Sequence, residues 1–515
     1  MYNLAVKKSR VLLTTAIPYV NGNPHIGHAL GYVQTDVLAR SLRASGHEVL
    51  FTAGSDENAL KNVESAEKAG KSVQEFVDEK VSVFQRLLSE YQITSDIYIR
   101  TSSPAHALGC QKLWSLSAKD IYKKSYTGLY CVGCETFYED GAFPDNICPD
   151  HNRKLEIVEE ENYFFALSKY QTFLEDLLES GKLTIYPSYR RDELLNFVKK
   201  GLQDFSISRP ATRVKGWGIP VPGDDSQRMY VWYDALTNYI TALGYGSEDE
   251  SRYKSYWEAS DIRCHSIGKD IIKFHGIYWP AMLQSAGLPL PTHLFTNGFI
   301  TSNGQKMSKT LGNVVDPFAL VKDHGIAATR YYLSREIPPH DDGDYSETRM
   351  TQLYTADLAN ELGNLISRTC AIAAKDGIEV ASAQSPSHPE LVSGSSLGSH
   401  PNTTANLHTD VLHTPNLHTD TLHTTLLNSY VLPEFDYQAR LVTLWEQIKT
   451  INKSFNEYEP WAKSADERKE FMVDVLAQLN TIGSELIPYM PEIGETIQKV
   501  TSGKIAKISP LFPRG

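Results

Sequence analysis

Four residues between positions 131 and 151 have the types and spacing of a metal site. Cys131 and Cys134 form a C-x2-C turn, and Cys148 and His151 form a C-x2-H turn further on. Soft and borderline donors in two short turns suit tetrahedral zinc, with Gly133 and Pro149 helping to bend the chain. Four protein ligands leave no position for water, so such a site would be structural and would stabilise a small insertion with little core of its own. A second pair, His25 and His28 in "PHIGH", is separated by Ile26 and Gly27 with no acid adjacent. A catalytic zinc pair on a helix is normally four residues apart with a glutamate between, which argues against that reading. The pair sits between an apolar run and a helical pattern, where unpaired amides and the positive end of a helix dipole favour a phosphate. Two imidazoles there can donate to phosphoryl oxygens, and Gly27 would admit a flat base to the backbone. Read alone, "HIGH" is equally a structural histidine pair. In a third stretch, "GFITSNGQKMSKTLGN", Lys306 and Lys309 flank Met307 and Ser308 in a Gly- and Asn-rich loop. Two ammonium groups suit the negative charge on a departing pyrophosphate. A lone K-x-x-K is otherwise an ordinary solvated loop.

The elements that must position these residues are legible around them. "RVLLTTA" is an apolar β-rich run, and "ALGYVQTDVLARSLRASG" repeats Leu30, Val33, Val37 and Leu38 at helical spacing before Gly46 stops it. "HEVLFTAGSDE" then reads as a second strand, so a βαβ unit and a parallel sheet begin here. The runs "YVWYDALTNYI" and "RCHSIGKDIIKFHGIYWPAML" predict the return of the same α/β domain, which gives a split sheet domain at 1–119 and 229–299. Residues 120–228, with the cysteine cluster and many turn residues, read as an insertion, and 300–358 as a segment carrying the lysine loop. From about 359 the pattern is helical and predicts a bundle to 515. A polar stretch at 382–428 carries the tandem repeat "NLHTDVLHTP" and "NLHTDTLHTT". It is too polar to bury a core and reads as a disordered insertion between bundle helices.

With 515 residues and 41% hydrophobic content the chain has several sizeable cores, and no run is long and apolar enough to span a membrane. The start reads as a first strand rather than a signal peptide, and six cysteines are too few for a disulfide framework, which points to the cytoplasm. The net charge of −12 argues against a general polyanion binder but leaves room for a local basic patch. The run Arg190, Arg191, Lys199, Lys200, Arg209, Arg213, Lys215 is a candidate for such a patch, and equally a set of solvated helix faces.

Together, "HIGH" after the first strand and "KMSKT" far downstream resemble the paired signatures of the class I aminoacyl-tRNA synthetases. The knuckle, "YVWYDALTNY", "IGKDIIKFHGIYWPAML" and "NEYEPW" follow in the order of the methionyl-tRNA synthetase family, over nearly the whole chain except the repeat. The resemblance implies a Rossmann-like parallel sheet with a zinc-knuckle insertion, followed by an all-α anticodon-binding bundle. It implies MgATP, L-methionine and initiator and elongator tRNA(Met) as substrates, one structural Zn2+, and no membrane partner. His25, Gly27, His28, Gly268, Asp270, Lys306, Ser308 and Lys309 would contact ATP, with His25, His28, Lys306 and Lys309 carrying the chemistry. Asp56 would pair with the methionine ammonium, and Ile17, Tyr19, Trp232, Ala235, Leu236, Tyr239, Ile271 and His275 would form the side-chain slot. Asn364, Arg368 and Trp461 would read the anticodon, although Trp461 alone reads as a core residue. The chain departs from the family pattern at Thr310, usually serine, and at Asn58, often histidine. It also stops after the bundle, without the dimerising module of some relatives, which favours a monomer. Leucine, isoleucine and valine enzymes carry a larger editing insertion, and a cysteine enzyme would hold zinc in its pocket. A catalytically dead tRNA-binding paralogue would have no use for both ATP signatures.

Overall fold

The computed structural model describes residues 8–131, 136–138, 141, 143–149, 152–307, 312–380 and 436–513. Its centre is a six-stranded sheet of β1 (Arg10–Thr15), β2 (Glu48–Ser55), β3 (Ile97–Arg100), β4 (Thr184–Tyr186), β5 (Ile262–Gly268) and β6 (His293–Asn297). The strand order is β3-β2-β1-β5-β6-β4, and every pairing is parallel. Alternation along β1 sends Val11 and Leu13 into one core and Leu12 into another, so both faces are covered, as a parallel sheet requires. Helix α1 (Ile26–Ala44) makes the first crossover and ends just before Gly46, whose φ of 88° suits the turn into β2.

The second core packs α2 (Pro104–Leu116) and α3 (Val231–Thr241) against the sheet through Trp114, Tyr233, Leu236, Tyr239, Trp257 and Trp279. The first core runs without a break from Val37 and Phe51 through Tyr331 and Tyr332 of α4 (Ile326–Arg335) into the C-terminal helices. These are α5 (Asn364–Lys375), α6 (Tyr437–Tyr458), α7 (Ala465–Leu486) and α8 (Pro491–Val500), with Leu441, Trp445, Leu476 and Ile497 buried between them. The repeat segment lies outside the described residues.

The 120–228 segment is less separate than its composition suggests. Ile121–Cys131, Thr136–Tyr138, Glu156–Phe165 and Phe205–Ser206 do form their own antiparallel sheet. Within the same segment, however, β4 pairs with β6 and becomes an edge of the central sheet. The expected boundary therefore cuts through the sheet domain. A strand of three residues, "TIY", is too short for alternation to reveal.

Candidate active site

In an open parallel sheet, ligands collect beyond the carboxyl ends of strands where the connections diverge. Here that point lies between β1, whose crossover runs to β2, and β5, reached much later in the chain. Ile17 and Tyr19 follow β1, Asp56 follows β2, and Gly268 and Asp270 close β5, so the topology gathers these expected residues at one edge. Tyr19 forms an isolated parallel bridge with Asp56, and the Asp56 amide donates to Pro18 O at 2.9 Å.

The two histidines have a structural task first. His25 is the N-cap of α1: its Nδ1 accepts from the Gly27 amide at 3.1 Å, while His28 Nδ1 accepts from the His25 amide at 3.1 Å. This is a reciprocal capping box built from imidazoles. With each Nδ1 accepting, the proton of each neutral ring sits on Nε2, which is the donor a phosphate needs. Burial, with a smaller contribution from the adjacent His25, holds the His28 pKa well below the ordinary range, so that ring is neutral at physiological pH. The space at Gly27 is taken by the His25 ring: a Cβ there would lie 2.9 Å from its Cε1. The absence of a side chain at Gly27 thus serves the cap.

The segment that follows the lysine loop returns to this cap. The Ile26 amide donates to Val315 O at 3.1 Å, and Ile300 lies against Gly27. The first signature is therefore joined at backbone level to the segment just after the second. Lys306 is exposed on the approach to the loop, its carbonyl accepting from Asn313 Nδ2 at 3.2 Å. Ser308, Lys309 and Thr310 lie outside the described residues.

Helix α3 presents Trp232, Ala235, Leu236 and Tyr239 along one helical stripe. Trp232 stacks flat on Phe274, with centroids 3.7 Å apart, and packs in one small cluster with Tyr19. The Tyr239 hydroxyl donates to His275 Nε2 at 2.6 Å, and His275 Nδ1 donates to Ile271 O at 2.9 Å. Burial pushes the His275 pKa down to about 4 and raises that of the Tyr239 phenol, so both are neutral. The structure thus brings Trp232, Tyr239, Ile271 and His275 together in one largely aromatic wall.

The other expected groups fall elsewhere. Asn364 and Arg368 share a face of α5, and Arg368 lies 5.3 Å from the Trp461 ring centroid and 2.8 Å from Asn456 Oδ1. Trp461 is 51% exposed, not a core residue. Cys131 and Cys148 are buried in one small cluster with Leu129 and Leu155, and the Cys148 carbonyl accepts from Asn152 N at 2.8 Å. Two buried thiols at a tight turn fit a soft cation; Cys134 and His151 lie outside the described residues. The basic run does not form a bare patch: Arg190, Arg191, Lys199, Arg213 and Lys215 each pair with a nearby Asp or Glu, and Arg209 turns inward to Ser206 and Ser208.

Sequence reasoning missed one buried polar group. His106 and Cys110 of α2 and Asp234 of α3 are, among the described residues, the only set of three metal-type donors in mutual reach. An acid inside the apolar run "YVWYDALTNYI" was its visible signal. The Asn58 departure belongs to the same group, since its amide donates to Asp234 Oδ2 at 2.7 Å and to Thr101 O at 3.0 Å.

A family model described as "tRNA synthetases class I (M)" matches residues 11–156 and 141–370. The methionine–tRNA ligase of Brucella suis biovar 1 is 46% identical over 379 residues, covering 72% of each chain. That of Thermotoga maritima is 38% identical over 496 residues, 94% of this chain and 74% of the relative. A Mycobacterium tuberculosis methionyl-tRNA synthetase solved with methionyl-adenylate superposes with a TM-score of 0.83 at 32% identity, covering 98% of this chain and 100% of that one. Fold and comparisons together define a class I tRNA synthetase. Within that class, the chain belongs to the methionine–tRNA ligase family.

Proposed function

We propose that this chain is a methionine–tRNA ligase that forms methionyl-adenylate from L-methionine and MgATP and passes methionine to the terminal adenosine of initiator and elongator tRNA(Met). The observation that carries the reading is the joining of the histidine-capped α1 to the segment after the lysine loop, in a fold that also holds an aromatic slot. The methionine carboxylate attacks the α-phosphate in line; the bond to the bridging oxygen breaks and pyrophosphate leaves. A hydroxyl of the terminal tRNA ribose then attacks the acyl carbon and AMP departs. Neither step needs a covalent enzyme intermediate, so the protein supplies positioning and charge stabilisation.

His25 and His28 donate from Nε2 to phosphoryl oxygens, Lys306 and Lys309 with Ser308 close over the triphosphate, and Gly268 and Asp270 face the nucleotide. Asp56 takes the methionine ammonium, a charge-assisted pairing. The slot of Ile17, Tyr19, Trp232, Ala235, Leu236, Tyr239, Ile271 and His275 holds the thioether, which is polarizable and favours aromatic edges. Asn364 and Arg368 hydrogen-bond unstacked anticodon bases, and the exposed Trp461 offers a stacking face. Cys131, Cys134, Cys148 and His151 hold a structural zinc. The enzyme works as a monomer in the reducing cytoplasm, where these thiols remain available as ligands. No helix of the described residues is long and apolar enough to cross a membrane.

Amino-acid-dependent ATP–pyrophosphate exchange across a panel of amino acids tests the assignment. Exchange with methionine well above all others is expected, and better exchange with another amino acid overturns it.

A further inference from the structure

Asp234 is fully buried, and the mechanism above gives it no task. Its Oδ1 accepts from His106 Nε2 at 2.7 Å, and its Oδ2 accepts from Asn58 Nδ2 at 2.7 Å. The other ring nitrogen of His106 bonds the Thr241 hydroxyl at 2.7 Å, and Cys110 Sγ lies 3.2 Å from His106 Nε2. The spacing does not suit a metal. Two ligands of one tetrahedral zinc, each about 2.0–2.1 Å from it, lie about 3.3 Å apart, whereas His106 and Asp234 stand at hydrogen-bond distance.

What the group does follows from where its members sit. Asp234 and Thr241 are seven residues apart on α3, on the side of the helix away from the stripe of Trp232, Ala235, Leu236 and Tyr239. One imidazole bridging both fixes the rotation of α3 about its axis against α2. The fit is close, for a Cβ at Gly109 of α2 would lie 2.3 Å from Thr241 Cγ2. Through Asn58, the same carboxylate also holds the segment that carries Asp56. That segment is pinned elsewhere through Glu57, whose amide donates to Thr101 Oγ1 at 2.8 Å, whose carbonyl accepts from Trp217 Nε1 at 2.8 Å, and whose carboxylate accepts from Arg100 and Ser102. Asp234 thus ties α3 to the ammonium-binding loop by hydrogen bonds, beside the apolar packing of Val231 on Ala59.

We propose that Asp234 is a positioning residue for methionine, keyed by His106 on one oxygen and Asn58 on the other, which sets the slot wall on α3 in register with Asp56. The inference rests on the reading of Asp56 and α3 as the methionine site. It explains the Asn58 departure: an amide N–H supplies the donor that the carboxylate requires, as a ring N–H of histidine would. Loss of this donor loosens methionine while leaving the nucleotide side, built on α1, β5 and β6, in place.

The test is steady-state ATP–pyrophosphate exchange with methionine and ATP varied separately. Asn58→Asp sets carboxylate against carboxylate and is expected to raise KM for methionine about tenfold or more, equivalent to about 1.4 kcal/mol, with KM for ATP within about twofold. Asn58→His restores an N–H donor and should recover most of the loss. Asp234→Asn, similar in shape, should behave as Asn58→Asp does; if it fails to fold, the Asn58 pair carries the test alone. An unchanged methionine KM in Asn58→Asp, or an equal rise in the ATP KM, overturns the proposal. Asp56→Asn in the same assay separates the two readings. A raised methionine KM there beside a normal one in Asn58→Asp overturns the keying alone. A normal one in Asp56→Asn beside a raised one in Asn58→Asp supports the keying and overturns the ammonium reading.

Discussion

At the residue scale, the start of α1 depends on what is missing from Gly27. A methyl group there would meet the His25 ring at 2.9–3.0 Å, so the ring must swing away and release the Gly27 amide. Alanine is the better helix former by about 0.8–1 kcal/mol, and a lost N-cap costs about 0.5–2 kcal/mol, so the two nearly offset. Gly27→Ala should therefore change the unfolding free energy by no more than about 1 kcal/mol while lowering pyrophosphate exchange about tenfold or more, because the Nε2 donor has moved. Exchange at the wild-type rate would remove His25 from the phosphate site. His275 makes a prediction of a different kind. Its folded pKa is about 4 because it is buried, against about 6.5 in an unfolded chain. Between these values the unfolded state binds a proton that the folded state does not. The stability this residue contributes is complete above pH 6.5 and is lost as pH falls towards 4, at about 1.4 kcal/mol per pH unit. Chemical denaturation of wild type and His275→Gln at pH 7 and pH 5 should show the wild type losing more, by about 2 kcal/mol. Equal losses would contradict the neutral, buried imidazole.

At the element scale, β1, α1 and β2 were legible because buried strands and an amphipathic helix each leave a strong periodic pattern. The approach of the segment after the lysine loop to α1 was not, since a backbone bond from Ile26 to Val315 leaves no trace in residue type. Nor was β4, which is three residues long and sits within a segment of foreign composition. The slot stripe on α3 was named only through the family resemblance, because Leu236 and Tyr239 are as buried as core residues. The rear face of that helix went unread because an Asp–His contact between α2 and α3 has no sequence spacing to betray it. The proposed knuckle rests on its spacing, with Cys134 and His151 outside the described residues. Among the described residues, its small cluster around Cys131 and Cys148 has few apolar neighbours, Leu129, Leu155, Tyr138 and Phe143. Cys131→Ser should therefore lose bound zinc, measured by elemental analysis of the purified protein, and lower the thermal midpoint. Undiminished zinc would exclude Cys131 as a ligand.

At the scale of the whole molecule, one arginine bolts the sheet domain to the bundle. Arg330 of α4 is fully buried and donates through Nε to Tyr489 O, through Nη1 to Tyr91 O, and through Nη2 to Pro488 O and Asp36 Oδ2, each at 2.8 Å. Asp36 lies on α1, the helix that His25 caps, and Pro488 and Tyr489 precede α8. Burial pushes the Asp36 carboxyl up, but Arg330, Arg40 and the Thr94 hydrogen bonds outweigh it and hold the pKa low, so the pair is ionised. Removing one member of a buried charged pair typically costs about 3–5 kcal/mol, because the other charge and the carbonyls are stranded. Arg330→Met should lose about that much stability in urea denaturation. Arg330→Lys should recover little, since a single ammonium lacks the planar fork that reaches acceptors on three segments at once. The seam between α1 and the turn before α8 is where the damage falls. The variants should therefore unfold in two steps, with the bundle first, where the wild type unfolds these parts together. Fluorescence of Trp445 in the bundle core and of Trp257 in the sheet domain reports the two sides separately in single-tryptophan backgrounds. Coincident transitions in Arg330→Met, with stability within 1 kcal/mol of wild type, would show that the continuous apolar core alone couples the domains.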